Sequence, residues 1–112
     1  MTVRSLIREM QVEVRESDLT PDRAAELLTK LAALYGNVLD ECRRTELAFH
    51  SIVRAYLSED GLAVNKAELL AKGSPEFEEW RVAKDTETLT KQLLSSLKAF
   101  LRAKADEMRF TH

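Results

Sequence analysis

Three glycines and two prolines among 112 residues leave this chain few places to turn. A β-sandwich or barrel of this length needs a turn roughly every 8–12 residues, built from Gly, Pro, Asn and Asp. The chain cannot supply that many, so the fold class expected is all-α. Apolar residues at 45% and charged residues at 32% fit a soluble globular domain rather than a disordered one. The length suits one domain spanning 1–112.

The sparse punctuation divides the chain into four helical segments. Val3, Leu6, Ile7, Met10 and Val14 form an amphipathic stripe over 3–16. Thr20-Pro21-Asp22 is a start signal: a capping hydroxyl, a proline where no N–H is needed, and an acid at the dipole's positive end. From Pro21 a seam with alternating steps of four and three runs through Ala24, Leu28, Leu31, Tyr35, Val38, Cys42, Thr45, Phe49, Ile52 and Tyr56. It predicts a helix over 21–58, straight or bent at Gly36-Asn37. Leu27, Leu34, Leu39, Val53 and Leu57 widen the apolar arc to roughly 140°. Asn65 to Glu68 has the form of a capping box and predicts a short helix over 66–72, stopped by Gly73. Ser74-Pro75-Glu76 opens the last helix, 75–109, whose apolar face holds Val82, Thr86, Leu89, Leu93, Leu94, Leu97, Phe100, Leu101 and Met108. Phe77 and Trp80 fall on the opposite side of a straight helical wheel, where the 66–72 helix could cover them or Trp80 could anchor an interface.

The expected architecture is a long antiparallel helical hairpin. The first helix packs at its open end and the short third helix near its tip. Both apolar arcs are wider than a ~14-residue first helix covers. That surplus predicts a homo-oligomer, most simply a dimer. The residues expected at its interface are Leu28, Leu31, Tyr35, Val38, Phe49, Ile52, Tyr56, Leu93, Leu97 and Phe100.

Catalytic chemistry has little to build on. Cys42, the single cysteine, excludes an internal disulfide and fits a reducing compartment. Cys42 and His50 lie eight apart, about 80° from one another on a helix, and cannot pair as nucleophile and base. Glu46 and His50 share a face, yet the Glu-x-x-His repeats and inward glutamates of a di-metal bundle are missing. The adjacent carboxylates, such as Asp40-Glu41 and Glu78-Glu79, diverge by ~100°, and no glycine-rich phosphate loop occurs. No enzyme, metal site or cofactor is expected. The N-terminal segment lacks the apolar core of a signal peptide, and no stretch approaches the ~20 apolar residues of a membrane span, so a cytoplasmic location is expected.

One charged pattern stands apart. Lys84, Lys91, Lys98, Arg102 and Arg109 follow one another at steps of 7, 7, 4 and 7, within an arc of about 40° opposite the leucines. A row of cations on a rigid rod suits a phosphate backbone or an acidic protein. A solvated basic face, partly neutralised by Glu87, is the simpler reading. The net charge of −2 creates no general demand for nucleic acid. No aromatic residue interleaves the row as single-strand stacking requires.

Three stretches, 19–28, 73–84 and 93–104, together resemble small, mostly uncharacterised helical proteins of bacteriophages and prophages. The shared elements are the Ser74-Pro75-Glu76-Phe77 start and the Leu97-Lys98-Ala99-Phe100-Leu101-Arg102 stretch of a long last helix. The resemblance implies a phage context, beside replication or recombination genes, and carries over no catalytic residue. The function expected is that of a non-enzymatic interaction protein, an adaptor or inhibitor. The alternative is a nucleic-acid-binding accessory protein acting through the basic row.

Overall fold

The computed structural model describes residues 2–110 and, at Phe110, the backbone alone. Four helices follow in order: α1 (Val3–Glu16), α2 (Pro21–Ser58), α3 (Val64–Ala71) and α4 (Pro75–Phe110), with no strand among the described residues. Built on the α2–α4 hairpin, the chain forms a rod of 71 × 27 × 21 Å. Its radius of gyration is 19.6 Å, where a compact chain of this length has about 13 Å.

Capping hydroxyls set three of the four starts. Thr20 Oγ1 accepts from the Arg23 N–H at 3.1 Å, and Ser74 Oγ accepts from the Phe77 N–H at 3.2 Å. Thr2 does the same for α1 through Ser5, a cap not foreseen from the sequence. The expected capping box at Asn65 does not form. Gly61, in the left-handed region at φ 64°, turns the chain so that the Leu62 N–H reaches the Tyr56 carbonyl at 3.2 Å. The helix resumes directly from that turn at Val64, with Ala63 as an N-cap without a side-chain bond. Asn65 is thereby carried inside α3. The weak point at Gly36 is passed without a break, and α2 is continuous.

Three kinds of packing succeed one another along the rod. At the open end α1 lies on both long helices and completes a core of Ile7, Met10, Ala24, Leu27, Leu31, Val38, Leu93 and Leu97. Each leucine fully buried there contributes about 1.5–3 kcal/mol. The midsection is built from small side chains: Cys42, Thr45, Ala83, Thr86 and Thr90 are all buried. The three threonines donate to carbonyls of their own helices, at 2.7–2.9 Å for the shortest bond of each. They enter the interior without needing a partner across the seam. Near the tip the packing turns aromatic, and Ala67 and Ala71 of α3 are buried.

Trp80 and Phe77 do not point away from α2 as the straight wheel requires. Both rings meet Phe49, Trp80 stacked at 5.1 Å and Phe77 tilted at 5.2 Å between centroids. A wheel drawn at 100° per residue drifts by about 20° per heptad against a 3.5-residue repeat. Counted back from Leu93, that drift brings Trp80 round towards the seam, while Phe77 stays well off it.

Five of the ten residues expected at an interface between copies are buried by this single chain: Leu31, Val38, Phe49, Leu93 and Leu97. They form contacts within the hairpin and present nothing to a second molecule. Leu28, Tyr35, Ile52, Tyr56 and Phe100 are half-buried. The apolar surplus is therefore narrower than the two arcs suggest.

Candidate interaction surfaces

The basic row lies on the exposed side of α4, but its members do not act alike. Lys91 Nζ sits 2.8 Å from Glu87 Oε1, and this contact raises the lysine's affinity for its proton while lowering that of Glu87. Lys84 Nζ stands 4.7 Å from the centre of the Trp80 ring, a cation–π distance. The first two charges are thus engaged within the chain. Lys98, Arg102 and Arg109 are exposed and take part in no ion pair among the described residues. These three lie in the C-terminal part of α4, where Lys104 is paired with Glu107. Extending the register set by the Cys42–Ala83 and Phe49–Phe77 contacts, Pro21 lies level with about residue 104, so Lys98 and Arg102 lie beside the first turns of α2 and Arg109 beyond its start.

Apolar groups also reach solvent. Leu39, Leu47, Val64, Leu69 and Leu70 are exposed, Leu69 to 71% and Leu47 to 58%. Singly exposed leucines are ordinary on a monomer.

The third surface is a groove that the sequence did not reveal. α1 is about 21 Å long and α2 about 57 Å, so α1 covers only part of the hairpin. Ahead of its first turn an open trough of about 930 Å³ continues between α2 and α4. Val38, Pro75 and Val82 line it with apolar surface, and Arg44, Glu78 and Glu79 stand among its lining residues. A difference in helix lengths was the available signal; where α1 lies along the hairpin was not.

Of the residues weighed for chemistry, Cys42 is buried and His50 is exposed. The Cys42 thiol is buried and donates to the Ala83 carbonyl at 3.1 Å. Burial, with the nearby Glu87 carboxylate, pushes it up to about 11. His50 Nε2 lies 3.5 Å from Glu46 Oε1 on the surface, and its ring is tilted against Phe49 at 5.6 Å. No group of three or more metal-binding side chains occurs among the described residues. His112 lies outside them. No helix of the described chain is long and apolar enough to cross a membrane.

The chain matches no protein-family model, no curated protein and no solved structure with which it was compared.

Proposed function

We propose that the chain is a non-enzymatic helical interaction protein, an adaptor or inhibitor of the kind small phage proteins supply, working in the cytoplasm as a homodimer. Surface supports this reading. The chain exposes 7769 Å² for 12.8 kDa, about a quarter more than the ~6,300 Å² of a compact monomer of that mass. A standard interface takes about 800 Å² from each partner. The half-buried Leu28, Tyr35, Ile52, Tyr56 and Phe100, with the exposed Leu39 and Leu47, are the groups that would enter it. Sedimentation equilibrium at micromolar protein tests the dimer. The expected result is a dimer that Leu39→Glu with Leu47→Glu dissociates; a monomer at every concentration removes the dimer from the reading.

A second reading rests on the run Lys98, Arg102 and Arg109, which form no ion pair among the described residues. Phosphate contacts release counterions, so duplex binding through these cations would fall steeply with salt. Lys98→Glu with Arg102→Glu would flatten that dependence. Binding that ignores salt, or no binding at all, excludes nucleic acid.

A further inference from the structure

α1 covers one face of the hairpin and leaves the opposite face bare. It holds Arg23 of α2 through Glu13, with bonds of 2.6 and 2.9 Å. At 100° per residue, Ala25, Leu28, Ala32, Tyr35 and Leu39 stand about 120–200° round α2 from Arg23. They follow one another at steps of three and four, the spacing of a second helix–helix seam. Ala25, Ala32 and Leu39 are exposed, and Leu28 and Tyr35 are half-buried, so no described segment closes over this seam. Beyond Leu39 the same line meets Arg43 and Glu46, and the uncharged stretch ends there.

Charges border the seam on both sides. Asp22 and Asp40 each lie nine residues from the fully buried Leu31, about 180° round α2, and so point out of the hairpin. Both are exposed and form no ion pair among the described residues. On α4, Val82 marks the side of α1, lining the trough with Thr2, Val3 and Arg4. Lys84, Lys91, Lys98 and Arg102 stand about 160–180° round from Val82, on the bare face. By the register of the Cys42–Ala83 and Phe49–Phe77 contacts, Lys84 is level with about residue 41 of α2, Lys91 with about 34 and Arg102 with about 23.

We propose that a second copy of the chain docks on this bare face, with the twofold axis running along the rod and both tips at the same end. Rotation about that axis preserves every level and sets α2 of each copy beside α4 of the other. Asp40 then meets the other copy's Lys84, and Asp22 its Arg102. Lys91, already held by its own Glu87, falls between the two acids, opposite Ala32 and Ala33. The uncharged seam lies inside these charged borders, and Ala25 and Ala32 let the helices approach closely. The chain itself supplies acid and base in matching register, which favours a second copy as the occupant. A twofold across the rod sets lysine row against lysine row. An end-on contact is limited to a section of 27 × 21 Å, less than the ~800 Å² that each partner gives to a standard interface. The inference rests on the dimer reading and deepens it.

Charge exchange followed by sedimentation equilibrium tests the pairing. Asp40→Lys and Lys84→Glu should each weaken the dimer at least ~10-fold, since each brings like charges together twice in a twofold dimer. Combined in one chain they should restore it to within about 3-fold of the original. Asp40 points out of its own hairpin, so no contact within a single chain yields that rescue. Asp22→Arg with Arg102→Asp is the second pair, and circular dichroism verifies that each variant is folded. A spin label on Glu59→Cys, near the tip, reads the orientation, with the buried Cys42 left unlabelled. Labels within about 40 Å of one another are expected; a twofold across the rod centred on Ala32 places them about 80 Å apart. Longer separations, single substitutions without effect, or a double variant without rescue overturn the proposal and leave the dimer reading standing. A monomer at every concentration removes both.

Discussion

Arg23 grips Glu13 across the α1–α2 turn with two hydrogen bonds, Nε to Oε2 at 2.6 Å and Nη2 to Oε1 at 2.9 Å. Paired bonds of this kind fix geometry as well as charge. The hydrogen bond to Arg23 holds the Glu13 carboxyl below its ordinary 4.5, against a smaller opposing effect of burial. A lowered folded value means that the pair's contribution is complete above the unfolded carboxylate value and is lost as pH falls through the folded one. Acid should therefore loosen α1 before it unfolds the hairpin. Hydrogen exchange of the α1 amides, measured from neutral pH downwards, is expected to show that order, and Glu13→Gln should bring the loosening to neutral pH. Exchange in α1 that stays level with α2 throughout contradicts it.

Gly36 lies inside α2 with ordinary helical backbone, and a Cβ added there meets nothing within 4 Å. Gly36→Ala therefore gains helix propensity without a clash. The expected gain is about 1 kcal/mol, seen as a rise of several degrees in the thermal midpoint. A fall in the midpoint would mean that the helix uses flexibility at this point.

Thr90 is fully buried, and its hydroxyl donates to the Thr86 carbonyl, which already receives the helix's own N–H. Thr90→Val keeps the shape and leaves no buried group without a partner. Such exchanges are near neutral or stabilising. Thr90→Leu adds bulk at a fully buried position and should cost about 1–3 kcal/mol. Chemical denaturation of the two variants reads both outcomes. Equal losses would show that the hydroxyl, rather than the space, is what the midsection needs.

Cys42 should resist thiol reagents while the chain is folded. Attack requires the thiolate, and this thiol is shielded and pushed up to about 11. Labelling by a disulfide reagent at pH 8 should follow the rate of global unfolding and accelerate sharply in denaturant. Immediate labelling of native protein would show an opening of the hairpin at this level.

The helices were legible because their ends carry their own chemistry. Thr20 with Pro21, and Ser74 with Pro75, place caps where the structure has them. Asn65 misled because a turn upstream, made by Gly61, had already set where α3 begins. Trp80 misled because a straight wheel ignores the drift between paired helices. The division of the seam is a tertiary fact. Leu31 and Leu28 follow the same repeat, yet one is fully buried and the other half-buried, according to which neighbour lies over it. The basic row was readable as a pattern. That Lys84 lies over Trp80 and Lys91 against Glu87 depends on side-chain rotamers that spacing does not encode.

The rod's 71 Å length against widths of 27 and 21 Å also governs how it tumbles. Spinning about the long axis displaces little solvent, while end-over-end rotation displaces much more. Amide vectors in α2 and α4 lie nearly along that axis and sense mainly the slower motion; those in the turn around Gly61 sense both. A molecule clamped to the flank would brake the spin far more than one attached at either end, so nuclear relaxation of the turn amides alone would tell a side-on companion from an end-on one.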